Sequence, residues 1–207
     1  MKKLIMLSGK KRSGKDTSAI LMKQLDPSIK LLAFATPLKQ IMAATFNIPM
    51  PILEEWKNDG FVCMHGIPME NQENADFQMQ TYREILQNFG TEAMKPVFGN
   101  EVWSMLAVKR IKELFQYTDT VVVTDWRFEV EYDYIYDAFC ESKNVAHGTA
   151  EVLTIALETW RIERPDVLSE DIHSSETALD NFEFDKVIIN DGTMEDLKEN
   201  IKGELSV

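Results

Sequence analysis

The sequence predicts an α/β protein with a parallel sheet of about five strands covered by helices on both faces. Three observations predict it. Short apolar runs alternate with helical spacing along most of the 207 residues. A basic loop framed by glycines follows the first of those runs. Polar residues then recur where later strands should end, the place where ligands bind in open parallel sheets.

The elements follow in order. Lys3 to Leu7 is a short apolar run suited to a buried strand, broken by Gly9 to Gly14. Thr17 to Leu25 has helical spacing and stops near Asp26-Pro27, because proline cannot continue a helix. Ile29 to Ala35 predicts a second strand, and Pro37, favourable in a first turn, opens a helix to Phe46. Residues 47–80, with prolines at 49, 51 and 68, predict an irregular insertion or flap. Tyr82, Ile85, Leu86 and Phe89 share a helix face ending at Gly90. In the next helix Val102, Met105, Leu106, Ile111, Leu114 and Phe115 are expected to turn mostly inward. Thr120 to Thr124 is the clearest strand, with Asp125 at its carboxyl end, and a helix over Val130 to Glu141 follows. Val152 to Leu157 predicts a fourth strand, Lys186 to Ile189 a fifth. After the Asn190-Asp191-Gly192 turn, Thr193 opens a last helix with Asp196 as its capping-box partner. Without repeats or a clear linker, residues 1–207 read as one domain, with a lid-like loop near 158–175.

Composition narrows the function. The net charge is −12 and 27% of residues are charged, so a protein that coats a nucleic-acid polymer is not expected. Residues 1–23 nevertheless carry a net +6, concentrated on the glycine-framed loop. No apolar run approaches the roughly 18 residues of a membrane span, and Leu4 to Leu7 is too short for a signal peptide, so the cytoplasm is the expected compartment. Cys63 and Cys140 form no metal-binding spacing, and His65, His147 and His173 lack ligand partners at useful spacing. Trp126, Phe128, Tyr132, Tyr134 and Tyr136 read as core and helix surface rather than as a base-stacking platform.

The chemistry starts at Gly9-Lys-Lys-Arg-Ser-Gly-Lys-Asp-Thr17. A Gly-x-x-x-x-Gly-Lys loop between strand and helix turns successive backbone amides toward phosphate oxygens, and the helix adds its positive end. Lys15 would reach the β- and γ-phosphates. Asp16 stands where a hydroxyl usually follows the lysine, and the hydroxyl comes one place later at Thr17. This Gly-Lys-x-Thr form of P-loop resembles that of nucleoside monophosphate kinases. Asp125, at the end of Val121-Val122-Val123-Thr124, is placed to hold Mg²⁺ directly or through water. Arg127 offers a planar donor for a phosphate, and Lys39, Arg83, Arg161 and Arg164 lie near the predicted active-end connections.

Together these segments resemble the phage-type deoxynucleoside monophosphate kinases. The matching pieces are Leu-Ser-Gly-Lys-Lys-Arg-Ser-Gly-Lys-Asp-Thr at 7–17, Ala-Thr-Pro-Leu-Lys at 35–39, Arg83 to Thr91, Thr124 to Arg127 and Ile189 to Thr193, in order along the chain. The resemblance implies a P-loop fold and ATP-dependent phosphoryl transfer to a deoxynucleoside 5′-monophosphate. Lys11, Arg12, Ser13, Gly14, Lys15, Asp16 and Thr17 would bind the ATP phosphates, and Asn190, Gly192 and Thr193 would border the adenine. Lys39, Arg83 and Arg127 would take the acceptor phosphate and Gln87 its base. Asp125, with Thr17, would organise Mg²⁺, and Arg161 or Arg164 would be a lid arginine. Lys15, Asp125, Arg127 and Arg161 form the expected catalytic set. The resemblance places the enzyme in the host cytoplasm if it is phage-encoded, and leaves a homodimer open. Ribonucleoside monophosphate and dephospho-coenzyme A kinases remain alternatives, as does a nucleotide-binding regulatory module without turnover.

Overall fold

The computed structural model describes residues 1–59, 82–140, 155–165 and 177–205. The chain forms two compact units, one of Met1–Phe34 with Trp103–Val207 and one of Ala35–Val102.

The first unit holds a five-stranded sheet of β1 (Lys2–Ser8), β2 (Lys30–Leu32), β3 (Thr120–Val123), β4 (Ile155–Glu163) and β5 (Lys186–Ile189). All pairings are parallel, in the order β2-β3-β1-β4-β5. The central strand β1 is apolar from Leu4 to Leu7 because both its faces are covered there. Leu4 and Met6 face a core that includes Ile111 of α6 (Val102–Leu114), Phe115 just after it, and Ile135 and Phe139 of α7 (Glu129–Phe139). Ile5 and Leu7 face Ala19 and Met22 of α1 (Lys15–Leu25) together with Leu197 and Ile201 of the last helix, Met194–Leu205. Alternate residues thus serve opposite layers, as a period of two requires.

The second unit has its own core of Met42, Ala43, Leu53, Tyr82 and Leu86. These come from α2 (Thr36–Phe46), α3 (Met50–Asp59) and α4 (Tyr82–Asn88), after which a π-helical turn, Phe89–Met94, leads into α5 (Lys95–Phe98). The last helix of the chain, Met194–Leu205, is α8.

Several expectations are corrected. The fourth strand, Ile155–Glu163, includes residues 155–157 as expected but runs six residues past the expected end at Leu157 (residues 152–154 lie outside the described residues). Charges inside it hid its length, and each is answered. Glu158 pairs with Lys3 and Lys186, and Arg161 with Asp180. Residues 50–59 are helical rather than irregular, since Pro51 fits a first turn and Leu53 is buried. The remainder of the expected flap, 60–80, lies outside the described residues, as do the histidines, Cys63 and residues 166–175 of the expected lid. Gly90 does not end its helix. It is buried within the π-helical turn, and Gly99, at φ 95°, makes the stop. Met105 is 49% exposed, because it lies about 240° around the helix from Ile111. The second strand is shorter than expected, Lys30–Leu32.

Candidate active site

The glycine-framed loop leaves the carboxyl end of β1, with β3 on one side and β4 on the other. Ser13 N donates to Lys10 O at 3.0 Å, closing a turn in which Arg12 takes a left-handed φ of 65°. Gly14 follows at φ 98° and serves as the N-cap of α1. A side chain at Gly14 would be strained and would strike Asn190 Nδ2, and one at Gly9 would come within 2.7 Å of Ile162 O and collide with Ser13 Oγ. Both glycines are therefore required by close approach as well as by backbone shape.

What the loop encloses is a set of donors. As N-cap, Gly14 gives no side-chain hydrogen bond to α1, so the opening turn of this 11-residue helix presents its amides at the loop. Ser13 Oγ is buried and makes no hydrogen bond. An unsatisfied buried hydroxyl costs about 1–3 kcal/mol, which an anionic oxygen placed in the loop would recover. Lys15, the first residue of α1, is only 8% exposed. A phosphate group fits this arrangement by charge and by donor type.

On the β3 side, Asp125 Oδ1 accepts from Phe34 N at 2.7 Å, and Thr124 N donates to Leu32 O at 2.9 Å. These bonds extend the β2–β3 pairing past the strand ends and fix the carboxylate. Thr17 and Asp125 offer hard oxygen donors, the type Mg²⁺ takes one or two of when phosphates and water complete its shell. The donor set suits that cation. Glu131 Oε2 accepts from the backbone N–H groups of Arg127 (2.9 Å) and Phe128 (3.1 Å), which starts α7 and holds the Asp125–Arg127 corner. Trp126 within that corner is fully buried against Tyr132, Phe182 and Phe184, so it and Tyr132 are core as expected.

On the β4 side, the register sets Arg161 opposite Ser8, immediately before the loop. Arg161 therefore lies within a strand and not in a loop after it, and it is 7% exposed. Its Nη2 donates to Asp180 Oδ1 at 2.9 Å, and its guanidinium sits 5.3 Å from the Phe184 ring centroid. Lys10 Nζ donates to the other oxygen of Asp180 at 3.0 Å. Burial works against the Asp180 charge, but the hydrogen bonds from Lys10 and Arg161 outweigh it and hold the carboxyl below its usual range. A pocket of about 440 Å³ opens here, lined among others by Lys10, Lys11, Ser13, Arg161, Arg164 and Asp180.

The turn after β5 closes on the same loop. Asn190 N donates to Glu163 O at 2.7 Å, and its buried side-chain Nδ2 donates to Ser13 O at 2.8 Å. Thr193 and Asp196 form the expected capping box, with Thr193 N and Oγ1 each 2.8 Å from Asp196 Oδ2. Gly192 is tight against Asp196, so a side chain there would collide.

The expected residues Ser13, Gly14, Lys15 and Asn190 thus meet at one end of the sheet, while Asp125 lies two residues past β3 and Arg161 two residues before the end of β4, the strands on either side of β1. Lys39, Arg83 and Gln87 belong to the second unit. There Lys39 on α2 pairs with Glu54 on α3, Arg83 is half-buried and Gln87 is exposed. Lys10 and Asp180 were not anticipated. Asp180 sits in an acidic stretch 170 residues from Lys10, and no local pattern distinguishes it from its neighbours.

The family model described as deoxynucleotide monophosphate kinase matches residues 3–80 and 54–201. The deoxynucleotide monophosphate kinase of Enterobacteria phage T4 is 25% identical over 246 residues, spanning 99% of this chain and 99% of the relative. Among solved structures, TT1252 from Thermus thermophilus superposes with a TM-score of 0.48 at 15% identity, covering 99% of this chain and 97% of its own. The dephospho-CoA kinase from Campylobacter jejuni gives 0.45 at 13%, covering 99% and 96%. With a phosphate loop at the carboxyl end of β1 and a family match running from residue 3 to 201, the chain belongs to the deoxynucleotide monophosphate kinase family.

Proposed function

We propose that this protein transfers the γ-phosphoryl group of ATP to a deoxynucleoside 5′-monophosphate, giving the diphosphate and ADP. The observation that carries the proposal is the donor set of the loop, in which unsatisfied Ser13 Oγ lies beside the opening amides of α1 and the buried cation Lys15. Family membership supports the choice of acceptor.

The acceptor phosphate oxygen is already a nucleophile, so the chain needs no strong general base. Its work is alignment and neutralisation of repelling charges. Lys15 and the loop residues Lys11, Arg12, Ser13, Gly14, Asp16 and Thr17 hold the donor phosphates, and Lys15 follows charge as it moves to the leaving oxygen. Thr17 and Asp125 would hold Mg²⁺, directly or through water, and the ion when bound would offset phosphate charge. Arg127 receives the acceptor phosphate. Arg161 stabilises charge from the β4 side. Gly192 and Thr193 border the adenine, while Asn190, whose amide is spent on Ser13, serves that edge by shaping the loop.

The test is ADP release with ATP against the four deoxynucleoside and four ribonucleoside monophosphates. Turnover with at least one deoxynucleoside monophosphate, above its ribose counterpart, is expected. No acceptor-dependent ADP formation with any deoxynucleotide would end the proposal.

A further inference from the structure

We propose that Asp180 is a positioning residue for the donor polyphosphate, its carboxylate bridging Lys10 of the loop and Arg161 of β4 so that both cations are held at the pocket rim. The inference rests on reading this loop as the ATP site.

The bridge is divided evenly, Oδ2 taking Lys10 at 3.0 Å and Oδ1 taking Arg161 at 2.9 Å. Arg161 is fixed on further sides, with Nη1 3.5 Å from Leu179 O, Nε 3.7 Å from Glu163 and Phe184 under its face. Lys10 is a flexible stem whose side chain is 40% exposed, so Asp180 removes freedom that a ligand would otherwise have to remove. All three side chains line the same pocket. There Lys10, Lys11, Arg161 and Arg164 face Glu163 and Asp180, a net positive lining suited to an anion. The Asp180 side chain is 35% exposed, and buried Arg161 keeps the Leu179 carbonyl, Glu163 and the Phe184 ring when that carboxylate is neutralised, so global folding depends little on it. Its consequence is therefore local.

Two roles give opposite signs. A carboxylate that only offset repulsion between the cations would, once neutralised, raise the positive potential and tighten polyphosphate binding. A positioning carboxylate, once neutralised, weakens it. The experiment is calorimetric titration of ATP into wild type, Asp180→Asn, Lys10→Met and the double variant, with thermal melts of each. Asp180→Asn should weaken ATP binding roughly tenfold while the melt of the nucleotide-free protein barely moves. In the Lys10→Met background the same substitution should cost much less, because part of what it positions is gone. Asp180→Glu, which keeps the charge, should recover part of the affinity and covers the case in which the amide variant folds poorly. Unchanged or tighter ATP binding by Asp180→Asn, an equal loss with and without Lys10, or Asp180→Glu no better than Asp180→Asn would overturn the proposal. The titration needs no acceptor. A wild type that binds ATP yet phosphorylates no deoxynucleotide would remove the function proposed above and leave this comparison standing.

Discussion

The side-chain amide of Asn190 donates to the carbonyl of Ser13 at 2.8 Å across 177 residues of sequence, and both groups are buried. The phosphate loop is thus held from outside, by the turn that follows β5. Asn190→Ala leaves the Ser13 carbonyl unpaired and opens a gap beside Gly14. A loss of about 1–3 kcal/mol is expected, read as a lower melting temperature, together with weaker ATP binding. A melt and an ATP affinity both equal to wild type would show that the loop holds its shape unaided.

Lys15 opens α1 and is the loop cation nearest to full burial. Lys15→Ala should lower kcat by on the order of a hundredfold or more while the protein still folds. Coupled ADP assays on purified protein, alongside circular dichroism, measure both. Near-normal turnover would remove Lys15 from phosphoryl transfer.

Arg127 follows the Asp125 corner, and its backbone is pinned by Glu131. With the backbone fixed, Arg127→Ala should change only what the guanidinium reaches. The KM of the acceptor should rise with the KM of ATP nearly constant. Steady-state kinetics with each substrate varied separately decides this, and an unchanged acceptor KM and kcat would exclude the residue.

Glu158 gives a pH prediction. Burial opposes its charge, yet hydrogen bonds from Lys3 and Trp160 and the charges of Lys3 and Lys186 hold its carboxyl below the usual range. A folded-state value below the unfolded one means that the stabilisation is complete above the ordinary glutamate range, near pH ~4.3, and is lost as pH falls through the depressed value. Melting temperatures taken from about pH 6 down to about pH 3 should fall more steeply for wild type than for Glu158→Gln. Parallel curves would assign acid sensitivity elsewhere.

Strand β1, the loop and the start of α1 were legible because their signals are local. An apolar run, two glycines at fixed spacing and a lysine before a helix need no distant partner to be recognised. The same holds for the Thr193–Asp196 capping box and for the apolar run of β3. Strand β4 was read too short because its full extent is not a local signal. Glu158 and Arg161 look like loop residues until Lys3, Lys186 and Asp180 arrive to neutralise them.

The sequence by itself determined the parallel α/β class and the phosphate loop, since spacing along the chain encodes these directly, and its motifs carried the resemblance to the family. Only the tertiary structure decided that Arg161 is a fixed strand residue, that Asn190 shapes the loop, and that Asp180 binds Lys10. Those roles depend on pairings across 19 to 177 residues. The physical reason is burial. Charges and amides inside the fold must find partners, and which partner is within 3 Å is settled by strand order and register, which no short segment of the chain contains.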